Sequence, residues 1–290
     1  MEIQVYSINA FANSLDGGNP AGVVFDADYL NEDQMYRVAQ KMGYSETAFV
    51  MKSEIADYKV RFFTPNDEVD LCGHATIGTF TAMSKLGMIT EGKYSQETKA
   101  GKLSVRTDDC HKVMMQQPLP MFGDTLPSSE IAASLRLPPD ALERDIPIQI
   151  VSTGLRDAII PVRNLDILMK MQPDMDSIMQ LSRKYGVFGY HVFTTECMHP
   201  ENTAHCRNFA PLFGIPEEAA TGTSNGALAG YLHRYVQRKD REMIRYAMEQ
   251  GYCMNRPSEI YAELSCCSGQ VHDLHVGGFA ENLRISTLDI

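Results

Sequence analysis

The chain lacks an excess of positive charge and any long apolar run. Its 290 residues carry 26 Lys and Arg against 37 Asp and Glu, a net charge of -11. Proteins that bind nucleic acid or anionic membranes concentrate Lys and Arg to neutralise phosphates, so neither partner is expected. No apolar stretch approaches the roughly 20 residues needed to cross a bilayer, and the N-terminus alternates like a strand rather than a signal peptide. We therefore predict a soluble, cytoplasmic protein.

Cofactor and disulfide motifs are also missing. The seven cysteines form no even or regular framework, which favours reduced thiols. Cys197, His199, His205 and Cys206 are metal-ligand residue types, but their spacing matches no common zinc pattern, and we predict no metal site. Neither a G-x-G-x-x-G motif after a strand nor a G-x-x-x-x-G-K-[ST] loop is present. No cofactor is therefore expected.

Hydrophobic periodicity gives the same order of elements twice. The first half is predicted to contain strands over 3–10 and from 23, a helix from an Asn31 cap to Gly43, strands over 46–51 and 58–63, a helix over 73–86, and strands over 102–107 and 112–117. A Pro-rich connection with a short helix near 129–135 follows. The second half is predicted to contain strands over 148–152 and 158–162, helical segments ending at Gly186, strands over 187–194 and 204–209, a helix over 222–237, and strands near 259–264 and 270–276.

Two chargeless helices support this repeat. RFFTP at Arg61 matches RNFAP at Arg207, and each is followed by a glycine and a helix without charge, GHATIGTFTAM and GTSNGALAGYL. A helix with no polar face should be buried on all sides, so each is predicted to lie at the centre of its half, wrapped by sheet. The predicted halves are residues 1–117, joined by a last strand at about 281–290, and residues 118–280.

The starts of these helices, at Gly73 and Gly222, are candidate anion sites. The first amide groups of a helix have no partner within it and lie at its positive dipole end, which suits a carboxylate. If a pseudo-twofold axis brings both starts together, they frame one cleft for a small carboxylic acid. Cys72 and His74 also flank the first start. A reactive thiol is one interpretation of Cys72, and simple core packing is the other.

GGNPAGVV (17–24), YSETAFV (44–50), RFFTPNDEVDLCGHATIGT (61–79) and EEAATGTSNGALAGYL (217–232) together resemble the PhzF-like isomerases, a family named for phenazine biosynthesis. VGGFAENLRI near the C-terminus resembles the closing segment of that family. The resemblance implies the α/β (α+β) fold of diaminopimelate epimerase, with two pseudo-symmetric halves. Each half is a curled mixed β-sheet around a central α-helix, and the active site lies between them. It also implies a homodimer.

The resemblance implies catalytic roles for three residues. Glu46, in the SETAFV motif, matches the glutamate that takes a proton from carbon and returns it elsewhere. His74 matches the active-site histidine of the family. Glu218 stands where the family typically has Asp, so its carboxylate reaches about one ångström further, which is enough to change the substrate atom it meets.

The predicted substrate-binding residues lie near these groups or near the C-terminus. Asn19 could donate to a substrate carboxylate, with an Asx-turn as the alternative. Thr223 stands where the family motif commonly has Ser and keeps a hydroxyl at the helix start. Two glycines, Gly277 and Gly278, would let backbone approach a ligand. The full predicted set is Asn19, Cys72, Gly73, Gly222, Thr223, Gly277 and Gly278.

Position 221 argues against one mechanism. The resemblance extends to the diaminopimelate epimerases, which place a cysteine before each of their two central helices. In this chain Cys72 precedes the first helix, but Thr221 precedes the second. A Thr hydroxyl is too weak an acid to replace a thiol. The leading hypothesis is therefore a cofactor-independent isomerase that moves a proton within a small carboxylated metabolite, with Glu46 as general acid and base. The alternatives are an amino-acid epimerase or racemase that uses Cys72, and a non-catalytic metabolite-binding protein.

Overall fold

The computed structural model describes residues 1–12, 14–237, 241–267 and 269–290. The chain divides into two compact units, called here unit 1 (Met1–Gln116 with Gly277–Ile290) and unit 2 (Gln117–Val276). No helix within the described ranges combines the length and the apolar character that crossing a membrane requires.

The elements follow one another in this order. The first are β1 (Glu2–Ala10), β2 (Asn19–Val24), α1 (Glu32–Met42), β3 (Thr47–Met51), β4 (Tyr58–Phe63), β5 (Glu68–Val69), α2 (Gly73–Lys85), β6 (Gly92–Thr98), β7 (Gly101–Thr107) and β8 (Val113–Gln117). Next come β9 (Met121–Thr125), α3 (Ser128–Ser134), β10 (Gln149–Ser152), β11 (Arg156–Pro161), α4 (Leu165–Lys170), α5 (Met175–Tyr185), β12 (Gly189–Thr194), β13 (Ala204–Ala210), β14 (Ile215–Glu218), α6 (Gly222–Tyr235), β15 (Met243–Gln250), β16 (Ser258–Cys267) and β17 (Gln270–Gly278). The last strand is β18 (Ala280–Asp289).

The strands of unit 1 form a mixed sheet. β1 pairs antiparallel with both β18 and β2, β2 pairs parallel with β3, and β3 pairs antiparallel with β4. β4 pairs antiparallel with β5 and parallel with β6, and β6, β7 and β8 continue antiparallel. The parallel pair β2 and β3 needs a crossover connection, which contains α1.

Unit 2 repeats this succession. β10 pairs antiparallel with β11, β11 parallel with β12, and β12 antiparallel with β13. β13 pairs antiparallel with β14 and parallel with β15, and β15 pairs antiparallel with β16. Strands β1 to β7 thus correspond to β10 to β16, and α2 corresponds to α6. The predicted repeat and the predicted fold class are confirmed.

The crossover helices end where the sequence predicted. Asn31 and Gln34 form the expected capping box at the start of α1, with Asn31 Oδ1 accepting from the Gln34 amide at 3.0 Å and Gln34 Oε1 accepting from the Asn31 amide at 2.9 Å. Gly43 ends α1 and Gly186 ends α5, each in the left-handed region, at φ of 67° and 62°. Glycine adopts this conformation without the strain that a Cβ brings.

The central helices α2 and α6 are buried along most of their length, as their lack of charge predicted. Residues 74–84 of α2 and residues 224–233 of α6 are all buried. α2 contacts β1, β2, β3, β7 and β18, and α6 contacts β10, β11 and β16. Helix and sheet approach closely at Gly78, where a Cβ would lie only 2.9 Å from Ile8 Cγ2. Each unit is therefore a sheet packed around its own helix.

The matching arginines of the repeat hold the segments that lead into these helices. Arg61 on β4 donates through Nε and Nη2 to the two carboxylate oxygens of Glu68 on β5, at 2.7 and 2.8 Å. Arg207 on β13 binds Glu217 on β14 in the same bidentate way, at 2.9 and 2.8 Å. Bidentate guanidinium pairs fix geometry as well as charge. They therefore tie each short strand to its neighbour a few residues before the central helix begins.

The structure differs from the sequence prediction at several strands. β2 begins at Asn19 instead of the predicted residue 23, so Asn19 and Pro20 pair with Ala10 and Asn9. Five strands were not predicted, namely β5, β6, β9, β14 and β15. β5 and β14 have only two and four residues, too few for a periodic signal. The buried positions of β6 are the polar residues Gln96 and Thr98, so apolar alternation does not mark this strand.

Candidate active site

Three predicted site residues come together in unit 1. Glu46 Oε2 lies 3.2 Å from His74 Nε2, and Cys72 Sγ lies 3.4 Å from His74 Nδ1. The side chains are largely shielded from solvent, with 19% of Glu46 and 6% of His74 exposed. A carboxyl group, an imidazole and a thiol therefore form one contiguous cluster.

The regular elements of unit 1 hold this cluster in place. Glu46 directly precedes β3, and its carbonyl oxygen accepts a hydrogen bond from the Gly22 amide of β2 at 3.1 Å. Cys72 and His74 flank the first residue of α2. The Cys72 carbonyl oxygen accepts from both the amide and the hydroxyl of Thr76, at 3.0 and 2.8 Å. Backbone hydrogen bonds thus fix both sides of the cluster, which favours a precise side-chain geometry.

Neither residue at the N-cap position caps its central helix. Cys72 precedes α2 and Thr221 precedes α6, both with extended backbone, and neither side chain makes a cap hydrogen bond. The first amide groups of a helix have no partners within it. The side chains of Cys72 and Thr221 therefore do not occupy these amide groups.

In unit 2 the predicted residues surround the start of α6. Glu218 is the last residue of β14 and is half-buried, and its Oε2 accepts a hydrogen bond from the Thr221 hydroxyl at 2.6 Å. Gly222 and Thr223 are the first two residues of α6. The Thr223 carbonyl oxygen accepts from Thr153 Oγ1 at 2.8 Å. The predicted carboxylate therefore lies beside the start of the second central helix.

The remaining predicted residues have less direct support. Asn19 is buried and begins β2. At Gly277 a Cβ would collide with the carbonyl oxygen of Val113 and lie 2.7 Å from the Met114 Cα. Close backbone packing therefore explains the absence of a side chain at Gly277. Gly278 ends β17. A contact of these residues with a ligand stays a prediction.

Ser45 and Gln250 also contact predicted catalytic residues, although they were not identified from the sequence. Ser45 Oγ lies 3.3 Å from His74 Nε2, and Gln250 Nε2 donates to the Glu218 carbonyl oxygen at 2.8 Å. Ser45 lies within the SETAFV motif, so its position beside Glu46 was a usable signal. Gln250 ends β15, a strand that was not predicted, so no sequence signal connected it to Glu218.

The cluster in unit 1 also has the composition of a metal site. The ligand atoms of Glu46, Cys72 and His74 all lie within 4.8 Å of one another. Zinc accepts oxygen, sulfur and imidazole nitrogen ligands of this kind. The same three groups are equally those that proton transfer requires.

Cys197, His199, His205 and Cys206 also have metal-ligand side chains. Glu249 contacts two of these residues, His199 and His205. Glu249 accepts hydrogen bonds from the amides of Met198 and His199, at 2.8 and 2.7 Å, and lies 2.6 Å from His205 Nδ1. Burial, followed by the charge of Glu249, raises the pKa of the Cys197 thiol to about 12. The absence of a metal site at these residues stays a prediction.

Comparison with known proteins identifies the family. The sequence profile of the PhzC-PhzF family, described as phenazine biosynthesis-like protein, matches residues 8–282. The chain belongs to this family. Its fold matches the crystal structure of a PhzF-family phenazine biosynthesis protein of Bacillus anthracis with a TM-score of 0.93, at 31% identity over 100% of both chains.

The curated relatives of this PhzF-family chain are isomerases. It is 36% identical over 276 residues to the uncharacterized isomerase YfhB of Bacillus subtilis, covering 93% of each chain. It is 30% identical over 277 residues to the trans-2,3-dihydro-3-hydroxyanthranilate isomerase of Pseudomonas aeruginosa, covering 93% of this chain and 94% of the relative. The chain is therefore an isomerase of the PhzF family, as the sequence motifs predicted.

Proposed function

We propose that this isomerase moves a proton within a small carboxylated metabolite, without a cofactor, and that Glu46 is its general acid and base. The observation that carries the proposal is the placement of the Glu46 carboxylate. Its Oε2 is buried and has no hydrogen bond among the described residues, although His74 Nε2 lies 3.2 Å away. Buried polar atoms are nearly always paired. A carboxylate held in this way has lone pairs ready to accept a proton.

His74 would assist the transfer. Its two ring nitrogens face different groups, because Nε2 lies near Glu46 and Ser45 while Nδ1 lies near Cys72. A histidine in this position can orient the carboxylate and can stabilise charge on the substrate as it develops. Glu218 is proposed as a further catalytic carboxylate. Its contact with the Thr221 hydroxyl supports an oriented group.

The helix starts support the proposed substrate class, because neither N-cap side chain caps its helix. Positive dipole ends with available amides suit a carboxylate, and the relative from Pseudomonas aeruginosa is named for a substrate that carries one. Asn19, Gly277 and Gly278 are proposed to add contacts to the substrate. The proposed binding residues are Asn19, Cys72, Gly73, Gly222, Thr223, Gly277 and Gly278.

The proposal is tested by turnover in D2O. The purified enzyme, without added metal or cofactor, is incubated with trans-2,3-dihydro-3-hydroxyanthranilate and with a panel of other small cyclic carboxylates. We expect at least one compound to be converted to an isomer of equal mass in H2O and to a product that carries solvent deuterium in D2O, as read by NMR and mass spectrometry. Absence of turnover after treatment with chelator, with recovery on adding a divalent metal, would contradict the proposal.

One observation favours a second candidate function, an epimerase or racemase that uses Cys72. The thiol lies within hydrogen-bonding distance of His74, which could take its proton. If Glu46 is the base, Cys72→Ala should reduce kcat at most about tenfold, because the lost thiol only contacts the reacting groups. If Cys72 is the catalyst, kcat should fall at least about a thousandfold. Cys110→Ala, at an exposed thiol, is the matched control.

A further inference from the structure

A chain of hydrogen bonds between buried side chains of unit 2 leads toward Glu218. Asn208 Nδ2 lies 3.1 Å from His191 Nδ1, and His191 Nε2 lies 3.3 Å from Asn225 Oδ1. Asn225 Nδ2 then donates to Gln250 Oε1 at 2.8 Å. All four side chains are at most 2% exposed. Solvent therefore does not compete for these hydrogen bonds.

The last links of the chain reach the carboxylate. Gln250 Nε2 donates to Thr221 Oγ1 at 3.1 Å and to the Glu218 carbonyl oxygen at 2.8 Å. The Thr221 hydroxyl donates to Glu218 Oε2 at 2.6 Å. The Thr221 amide points back and donates to Gln250 Oε1 at 3.3 Å. Gln250 thus contacts both the backbone of Glu218 and the hydroxyl that binds its carboxylate.

The side-chain donors in this chain all point toward Glu218. The amide nitrogen of Asn208 is a donor, so His191 Nδ1 accepts and Nε2 carries the proton, which requires a neutral ring. Burial lowers the pKa of His191 to about 4, which agrees with that neutral form. Because Asn225 Oδ1 accepts from His191, its nitrogen remains to donate to Gln250, and Gln250 in turn donates to Thr221. Each member therefore fixes the orientation of the next.

We propose that Thr221 and Gln250 are positioning residues that hold the Glu218 carboxylate in its reactive orientation. The proposal rests on the proposed catalytic role of Glu218. Gln250 occupies an acceptor site on the Thr221 oxygen, so the hydroxyl proton is directed to Glu218. The hydroxyl before α6 therefore orients a carboxylate instead of acting on the substrate itself.

The position of Thr221 gives independent support. A threonine at the N-cap normally accepts a hydrogen bond from an amide in the first helical turn, which stabilises a helix by about 1 kcal/mol. Thr221 makes no such cap bond. Its oxygen accepts from Gln250 Nε2 instead, at 3.1 Å, while its hydroxyl donates to Glu218.

The test compares variants with and without the hydroxyl. Thr221→Val keeps the branched shape and removes the donor, Thr221→Ala is a second hydroxyl-free variant, and Thr221→Ser restores the hydroxyl. A charge-assisted hydrogen bond of this kind is worth enough to change kcat by about tenfold to a hundredfold. We expect that loss on trans-2,3-dihydro-3-hydroxyanthranilate for the hydroxyl-free variants, with Thr221→Ser within about threefold of wild type.

Crystal structures of the same variants give a readout that needs no substrate. We expect the Glu218 carboxylate to leave its position, or to become disordered, in both hydroxyl-free variants and to keep it in Thr221→Ser. If Glu218 holds its place in the hydroxyl-free variants, the positioning proposal is overturned even when Glu218→Gln is inactive. If Glu218 moves but Glu218→Gln is fully active, positioning stands and the proposed catalytic role of Glu218 fails. The structures decide the positioning proposal even if this probe compound is not turned over.

Discussion

Glu46→Gln is expected to reduce kcat by about a thousandfold, the usual contribution of a positioned general acid or base. Glutamine keeps the shape and volume of the side chain but does not accept a proton, so binding should change little and the loss should fall on kcat. Incorporation of solvent deuterium into the substrate should disappear together with turnover. Both are measured on the compound that the wild-type enzyme converts in D2O.

A loss of folding would imitate this result, so stability is measured alongside activity. Glu46 Oε2 is buried without a hydrogen bond among the described residues, and a neutral amide is less costly to bury there than a carboxylate. The melting temperature of Glu46→Gln should therefore equal or exceed that of wild type. Glu54→Gln, the same change at an exposed glutamate, should behave as wild type. Full activity of Glu46→Gln would exclude the proposed mechanism.

Local sequence signals were sufficient for most of the framework around Glu46. Asn31 with Gln34 marked the start of α1, Gly43 marked its end, and the chargeless segment after Gly73 marked a buried helix. Each of these signals depends on residues within a few positions of one another. The pairing of parallel strands then brings Glu46 next to the helix that carries His74. The motifs predicted that Glu46 and His74 act together, and the fold gives the distance between them, 3.2 Å.

The residues that position Glu218 could not be predicted from local sequence signals. Gln250 lies 32 residues from Glu218 along the chain. It ends a strand in which the two preceding residues, Met248 and Glu249, are also buried. A buried glutamine has no distinctive local pattern, because the partners that satisfy it come from other elements. The roles of Asp157, His191 and Asn208 could not be predicted from the sequence for the same reason. His191 and Asn208 lie in strands that are buried at every position, and Asp157 lies in a strand that is buried at every position except Arg156.

Asp157 is the most unusual of these residues. It is fully buried on β11, and its Oδ2 accepts a hydrogen bond from Ser224 Oγ at 2.6 Å. The pKa of Asp157 is raised from 3.8 to about 7, chiefly by burial. The charge of Glu218 contributes to this rise, and the hydrogen bonds from Ser224 and the Gly189 amide partly offset it. The protonated form is therefore favoured in the folded protein below about pH 7, whereas the unfolded chain ionises near pH 4.

Asp157→Asn is expected to remove a large pH-dependent loss of stability. Because the folded pKa lies above the unfolded value, the contribution of Asp157 to the free energy of unfolding is greatest below pH 4. It falls as the pH rises toward 7, by about 4 kcal/mol in total. Asparagine keeps an acceptor for Ser224 and does not titrate. The unfolding free energy of the variant minus that of wild type, measured in urea from pH 4 to 8, should therefore increase by about 4 kcal/mol.

The experiment compares the unfolding free energies of Asp157→Asn and wild type because the titration of His191 changes stability in the opposite direction. Its folded pKa of about 4 lies below the ordinary value of 6.5, so its contribution to stability rises with pH between these values. In wild type the rise from His191 offsets much of the fall from Asp157, so the wild-type profile alone does not isolate the effect of Asp157. Asp145→Asn, at an exposed position of unit 2, should keep the wild-type profile. A constant offset between Asp157→Asn and wild type across this pH range would show that Asp157 is ionised in the folded protein.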